Sequence, residues 1–281
     1  MMNDTFDFKR FGQLLAYDGK KSFRTFGLTL LVLCCFPVLL WIISFLVPAD
    51  VHPMIRRSNM YVALLLCVVL FPAKAFGDIN LSREGVSFAM LPASKLEKFF
   101  SMVSCSLLAI LAVVLGFYLV DAILTLLPFG GFKEFIKGDI FSEMNKQMTS
   151  STDLHELAWE ETIMVTDFIT KMMRYARIFI VITILTINAF FLLGNTLFKK
   201  HKTAKTIAIF FGISWALSLI FSVLLIPFGG LSWMEKIIDS DDIEWIFGMM
   251  NTIAIVSLVV NALIALGLYV ATHLKLKNQK Y

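Results

Sequence analysis

The chain has 281 residues, of which 58% are hydrophobic and 16% charged, with a mean hydropathy of +0.78 and a formal net charge of +4. Soluble domains run roughly 45–50% apolar and about 25% charged, so this composition points to a membrane protein and excludes a disordered chain. Four cysteines are too few for a disulfide-stapled secreted module, and basic residues spread along the chain, not gathered in one patch, argue against nucleic-acid binding.

In chain order, residues 5–23 come first and read as an amphipathic helix on the inner leaflet. Phe8, Phe11 and Leu15 share a face, while Lys9, Arg10, Lys20 and Lys21 supply charge for anionic lipid. Six segments then approach the roughly 20 apolar residues that a transmembrane helix needs: 26–47, 60–76, 99–127, 178–198, 207–226 and 246–272. The first contains Pro37 and is too long for a signal-peptide core, with no small-residue cleavage site after it. The second meets Lys74 near its end, whose long stem can carry the ammonium to the headgroups.

With both termini inside, segments 1–25, 74–98, 199–206 and 273–281 hold a net +10, and the rest of the chain holds −6. That is the positive-inside bias, strongest at Lys199, Lys200, Lys202 and Lys205 and in the tail Lys275, Lys277 and Lys280. The expected architecture is therefore all-α and polytopic, with six transmembrane helices, N-in and C-in, and a membrane-lipid surround.

Two longer segments fall outside. Residues 128–177 open with Pro128-Phe129-Gly130-Gly131, which stops a helix, and include a polar, loop-like stretch around Ser142 to Asp153. Leu154, Leu157, Met164, Phe168, Ile169 and Met172 then recur at roughly helical spacing, predicting an external helix that runs into the fourth span. Residues 227–245 open with the same four letters and carry an acidic amphipathic piece with Trp233 and Trp245, a composition suited to the headgroup zone.

Enzyme chemistry finds no foothold. Asp18-Gly19-Lys20-Lys21-Ser22 resembles the end of a phosphate-binding loop, but Leu14 stands where the earlier glycine must be. His155-Glu156 begins a zinc motif that Trp159 ends. Glu160-Glu161 lacks the arginine of a paired-glutamate protease, and no spanning histidine can activate Ser214. No catalytic residue, cofactor or metal is therefore expected. Cys34, Cys35, Cys67 and Cys105 all fall within spans and read as small apolar packing residues.

Polar residues within spans raise a functional question by default. Asp121 is seven residues before Pro128, about 10 Å along a helix, and is expected to reach the outer headgroups or water; Asp121→Asn should then leave expression intact. Asn188, Asn195 and Asn261 suit bonding between helices. Asp121, Asn188 and Asn261 are the candidates for a polar path.

Residues 73–102, AKAFGDINLSREGVSFAMLPASKLEKFFSM, form a long inside loop. Pro92 suits a helix start, and 93–100 are good helix formers, predicting a short surface helix that turns into the third span with Glu97 on its outward face. Leu91, Pro92, Ala93, Ser94, Glu97, Lys98 and Phe99 resemble the pattern after the second span in ABC-2 type permeases, particularly the compact permease-like proteins of Bacteroidetes. Weaker similarities are the N-terminal interfacial helix, the six spans, the external piece between spans five and six, and the Gly194…Phe198-Lys199…Lys205-Thr206 exit from span four.

The resemblance implies the membrane subunit of an ATP-binding-cassette exporter in a bacterial inner membrane. It would act as a homodimer or heterodimer of permeases on separate ABC ATPase subunits. Leu91, Pro92, Ala93, Ser94, Lys95, Glu97 and Lys98 would form the ATPase-coupling element. The long 128–177 segment leaves an alternative: a non-transporting scaffold, assembly factor or sensor with an extracytoplasmic binding segment.

Overall fold

A computed structural model of the chain describes residues 6–46, 53–80, 88, 90–127, 132, 141–142, 144–145, 159–198, 201–225 and 243–278. Helix α1 (Phe8–Cys34) starts behind Asp7, whose carboxylate accepts from the Lys9 N–H at 2.8 Å, satisfying one of the free donors at a helix start. It ends where Pro37 removes an N–H and crowds the carbonyl four residues back; the chain turns at Cys35 and resumes as α2 (Phe36–Leu46). Helix α3 (Pro53–Ala75) is followed by a short 3-10 turn, Gly77–Asn80. Helix α4 (Lys95–Thr125) begins at a capping box on Ser94. Helices α5 (Trp159–Leu197), α6 (Lys202–Leu225) and α7 (Ile243–Lys277) complete the described chain.

Five helical stretches are long and apolar enough to cross a membrane: Phe8–Ser44, Met54–Ala75, Lys95–Thr125, Ile163–Leu197 and Phe247–Lys277. The chain is thus an all-helical, multi-pass membrane protein among its described residues. The expected fifth span falls on α6, which is not among these five. Side chains Phe211–Leu219 of α6 are all exposed, Trp215 by 70%, as suits a surface turned to lipid rather than water.

Helix directions follow from side-chain pairings. Glu97 meets Arg10 and Ser101 meets Asp18, so α1 and α4 run parallel. Phe26 meets Phe71 and Asn59 reaches the Phe36 carbonyl, so α3 runs against α1 and α2. Phe168 stacks on Phe247, Thr186 bonds Asn261 and Tyr269 bonds Asn188, so α5 and α7 run parallel. Phe210 meets Phe190, and Gly194 lies against Thr206, so α6 runs back along α5. The start of α1 and the end of α7 therefore lie at one end of the bundle, with Lys95, which donates to the Lys277 carbonyl, and Lys202, which donates to the Gly77 carbonyl.

The core is built where α1, α3 and α4 meet. Phe26, Cys67, Phe71, Met102, Cys105 and Phe117 belong to one buried cluster, which Leu192 and Leu276 join from α5 and α7. Two close approaches need glycine. A Cβ on Gly116 would overlap the Cys34 side chain, and one on Gly194 would overlap Thr206. The tight reversal from α5 to α6 also places His201 at φ 51°, in the left-handed region.

Three expectations need correction. The basic N-terminal segment is not a separate helix on the leaflet, because α1 passes residue 25 without a break and forms a rod of 27 residues, about 40 Å. No residue between Gly19 and Leu33 breaks the helix, and the change there is only one of composition. The segment before span three is not a separate short helix either, because 91–93 form bends, Ser94 caps, and Lys95 opens the span itself. The basic tail continues α7 to Lys277. The expected external helix does run into span four, but α5 starts at Trp159, and at 39 residues, about 58 Å, it exceeds a hydrocarbon core of roughly 30 Å. Pro128-Phe129-Gly130-Gly131 and 226–242 lie outside the described residues.

Candidate functional site

The segment singled out by sequence forms a buried polar knot between α1 and α4. Ser94 caps α4 in both directions: its hydroxyl accepts from the Glu97 N–H at 3.2 Å, and its own N–H donates to Glu97 Oε2 at 2.8 Å. Such a box satisfies two donors that a helix start otherwise leaves open. The second carboxylate oxygen, Oε1, reaches across to α1, where it accepts from the Asp7 N–H at 2.8 Å and from the Arg10 guanidinium at 3.1 Å. Glu97 is fully buried. The expected outward-facing carboxylate is therefore turned inward, because three donors, from Ser94, Asp7 and Arg10, compete for it more effectively than water.

One turn further, the Ser101 hydroxyl donates to Asp18 Oδ2 at 2.6 Å, and Asp18 is buried. Lys98 is buried too, with its ammonium 5.3 Å from the Phe88 ring centroid. Lys95 points away from this knot, and Ala93 and Ser94 are buried. What remains on the surface is Met90, Pro92, Lys95, Leu96 and Phe100. Of the seven residues expected to couple, the structure brings Ser94, Glu97 and Lys98 together at the α1–α4 contact and leaves Pro92 and Lys95 outside.

Asp121 does not reach headgroups or water. It is fully buried, and its Oδ1 lies 3.1 Å from a guanidinium nitrogen of Arg56, itself 1% exposed, in the first turns of α3. The same guanidinium stands 4.4 Å from the Phe132 ring centroid. A carboxylate in a low-dielectric interior is tolerable only when paired, and Arg56 supplies that charge.

The asparagines tie helices together. Asn188 donates to the Ser106 hydroxyl and accepts from Tyr269 OH at 3.3 Å, joining α5 to α4 and α7. Asn261 accepts from Thr186 Oγ1 at 2.8 Å and donates to Thr183 Oγ1 at 2.9 Å. Asn195 donates to the Pro72 carbonyl at 2.8 Å. Ser106 and Asp121 are fifteen residues apart on α4, about 22 Å. Asn188 and Asn261 therefore sit on one seam, with Asp121 at a separate level.

Three polar contacts escaped the sequence reading: buried Asp18, half-buried Arg10 as a partner of Glu97, and buried Arg56. A periodic signal existed. Leu14, Asp18, Ser22 and Phe26 recur every four residues and are all buried, so Asp18 sits in the apolar stripe. Arg56, Met60, Ala63, Cys67 and Phe71 repeat the pattern on α3. Among the described residues no three His, Cys, Asp or Glu side chains gather as a metal site requires, and all four cysteines are free thiols. The arrangement ties α1 to α4 and α3 to α4 through buried polar contacts. No protein-family model, curated protein or solved structure matches the chain.

Proposed function

We propose that the chain is the permease-type subunit of an ABC-2 exporter in a bacterial inner membrane, with six spans, both termini inside, and separate ATPases docked at the basic end of the bundle. The observation that carries the reading is the continuity at Ser94. The Leu91–Ser94 bend is capped directly onto the 31 residues of α4, and Glu97 ties the same turn to α1. A push at the surface there moves two spans as a unit. Contact with the ATPase falls to Met90, Pro92, Lys95 and Leu96, which are exposed, while Ser94, Glu97 and Lys98 act behind them by holding the helix start. Paired or hydrogen-bonded polar residues and an apolar exterior favour a lipid, peptide or other hydrophobic substrate. No catalytic residue is needed in this chain.

Affinity purification in mild detergent tests the reading. An ATPase should co-purify with the native protein and be lost from Leu96→Glu, a surface change that leaves the knot intact. Purification of a folded protein with no ATPase favours the alternative, a non-transporting scaffold, assembly factor or sensor. An ATPase retained equally by Leu96→Glu removes this segment from the interface.

A further inference from the structure

Between the parallel helices α1 and α4, close to the basic end, runs an apolar groove that the chain itself leaves open, with a volume of about 210 Å³. Gly19, Phe23 and Gly27 line it from α1, and Cys105, Ala109 and Ala112 from α4. The glycines and alanines keep the two helices from filling the space. A Cβ on Gly19 would meet nothing within 4 Å, and one on Gly27 would meet only the Phe23 ring at ordinary contact distance, 3.6 Å. The groove lies where α1 passes from its basic segment into its apolar length, which is the depth of the leaflet at that end. Lys20 and Arg24 directly follow the lining residues Gly19 and Phe23 on α1 and are exposed, and α1 carries no carboxylate after Asp18. A third cation, Lys74, is exposed one turn after Phe71, which also lines the groove.

We infer that this groove holds an acyl chain of an anionic membrane phospholipid, with its phosphate headgroup against Lys20 and Arg24. The apolar lining selects a hydrocarbon tail, and the cations at its mouth select the charge of the head. Basic side chains near an anionic lipid surface attract it individually. Among the described residues, this place pairs a shaped apolar slot with a basic rim in which Lys74 also donates to the Thr29 hydroxyl at 2.9 Å.

The test uses the full-length protein in nanodiscs of mixed phosphatidylglycerol and phosphatidylethanolamine, followed by native mass spectrometry of retained lipid. The native protein should retain a phosphatidylglycerol that the double variant Gly19→Leu/Gly27→Leu loses, although a Cβ at Gly19 meets nothing and one at Gly27 meets only the Phe23 ring at ordinary contact distance. Lys20→Gln/Arg24→Gln should keep lipid in the groove but lower the preference for phosphatidylglycerol by roughly tenfold to thirtyfold, the effect of two basic residues near an anionic surface. Thermal unfolding of each variant, compared with the native protein, separates lost lipid from lost fold. Equal retention by a folded filled-groove variant overturns the site. Equal retention of the two lipids by the native protein overturns the headgroup assignment. A change of oligomeric state in the filled-groove variant would show that a second copy, not lipid, occupies the groove, and would also overturn the inference.

Discussion

Asp121→Asn is the substitution for which sequence and structure give opposite answers. Insertion scales put a carboxylate at the centre of a span at roughly 2.5–3.5 kcal/mol, so removing it from an isolated helix helps. In the fold, Asp121 is fully buried with Arg56 at 3.1 Å and 1% exposure, so removing it leaves a guanidinium in the interior without its carboxylate. Breaking a buried pair from one side typically costs 3–5 kcal/mol, whereas replacing both partners with apolar residues is often neutral or stabilising. An amide can still accept one hydrogen bond, so about 3 kcal/mol is expected for Asp121→Asn, at the low end of that range. For a chain of this size, with roughly 2–4 °C per kcal/mol, the midpoint of thermal unfolding should fall by about 6–12 °C. The assay is tryptophan fluorescence of protein purified in mild detergent. Arg56→Met/Asp121→Leu should recover most of the loss, less the contact of Arg56 with Phe132. A single Asp121→Asn variant as stable as the native protein would refute the reasoning. So would a double variant no better than the single, because the loss would then not come from the broken Arg56–Asp121 pair.

Other substitutions probe the remaining contacts. Glu97→Gln should cost about 1.5–3 kcal/mol, the range for a hydrogen bond to a charged group, and should raise hydrogen exchange over residues 7–15; unchanged exchange would mean the Asp7 and Arg10 contacts do not hold α1. Glu97→Lys should abolish the folded protein, because it buries an ammonium beside Arg10, and a normal size-exclusion profile would contradict the burial seen here. Gly194→Val should destabilise by about 1–3 kcal/mol through overpacking on Thr206, with partial recovery in Gly194→Val/Thr206→Ala measured by unfolding midpoint. Asn261→Ala should cost about 0.6–1.7 kcal/mol, the range measured for hydrogen bonds between spanning helices, and a loss above about twice that would show that the seam with Thr183 and Thr186 is cooperative.

Five of the six expected spans fall on helices long and apolar enough to cross a membrane, because hydrophobic length is a property of the local sequence. Helix ends were less legible. Residues 5–23 have the composition of an interfacial helix, yet nothing in Gly19-Lys20-Lys21-Ser22-Phe23-Arg24-Thr25 breaks a helix, and docking against α4 decides that the rod continues. The same limit applies to Glu97. Its place three residues after Ser94 is the spacing of a capping box, a local signal, but its capture of Asp7 and Arg10 depends on a partner 87 to 90 residues away. Asp121 needed Arg56, 65 residues distant. Charged residues in apolar stretches can be located from sequence, but their partners are set by helix packing.

Those partners change the part that the 91–98 segment plays in the fold. A surface carboxylate on a docking helix would be tuned by the incoming protein and could vary with it. A buried carboxylate that closes a capping box and also clamps a second helix is fixed by the chain's own fold. Glu97 receives N–H donors from Ser94 and Asp7 and the charge of Arg10, so motion at the start of α4 must either carry α1 along or break a charge-assisted contact in a dry site. Asp18 and Ser101 repeat the constraint one turn deeper. Two such ties on one pair of parallel helices make rigid movement of α1 with α4 cheaper than sliding between them. Met90, Pro92, Lys95 and Leu96 lie outside these ties, at the surface, while the buried Ser94, Glu97, Asp18 and Ser101 hold the two helices together.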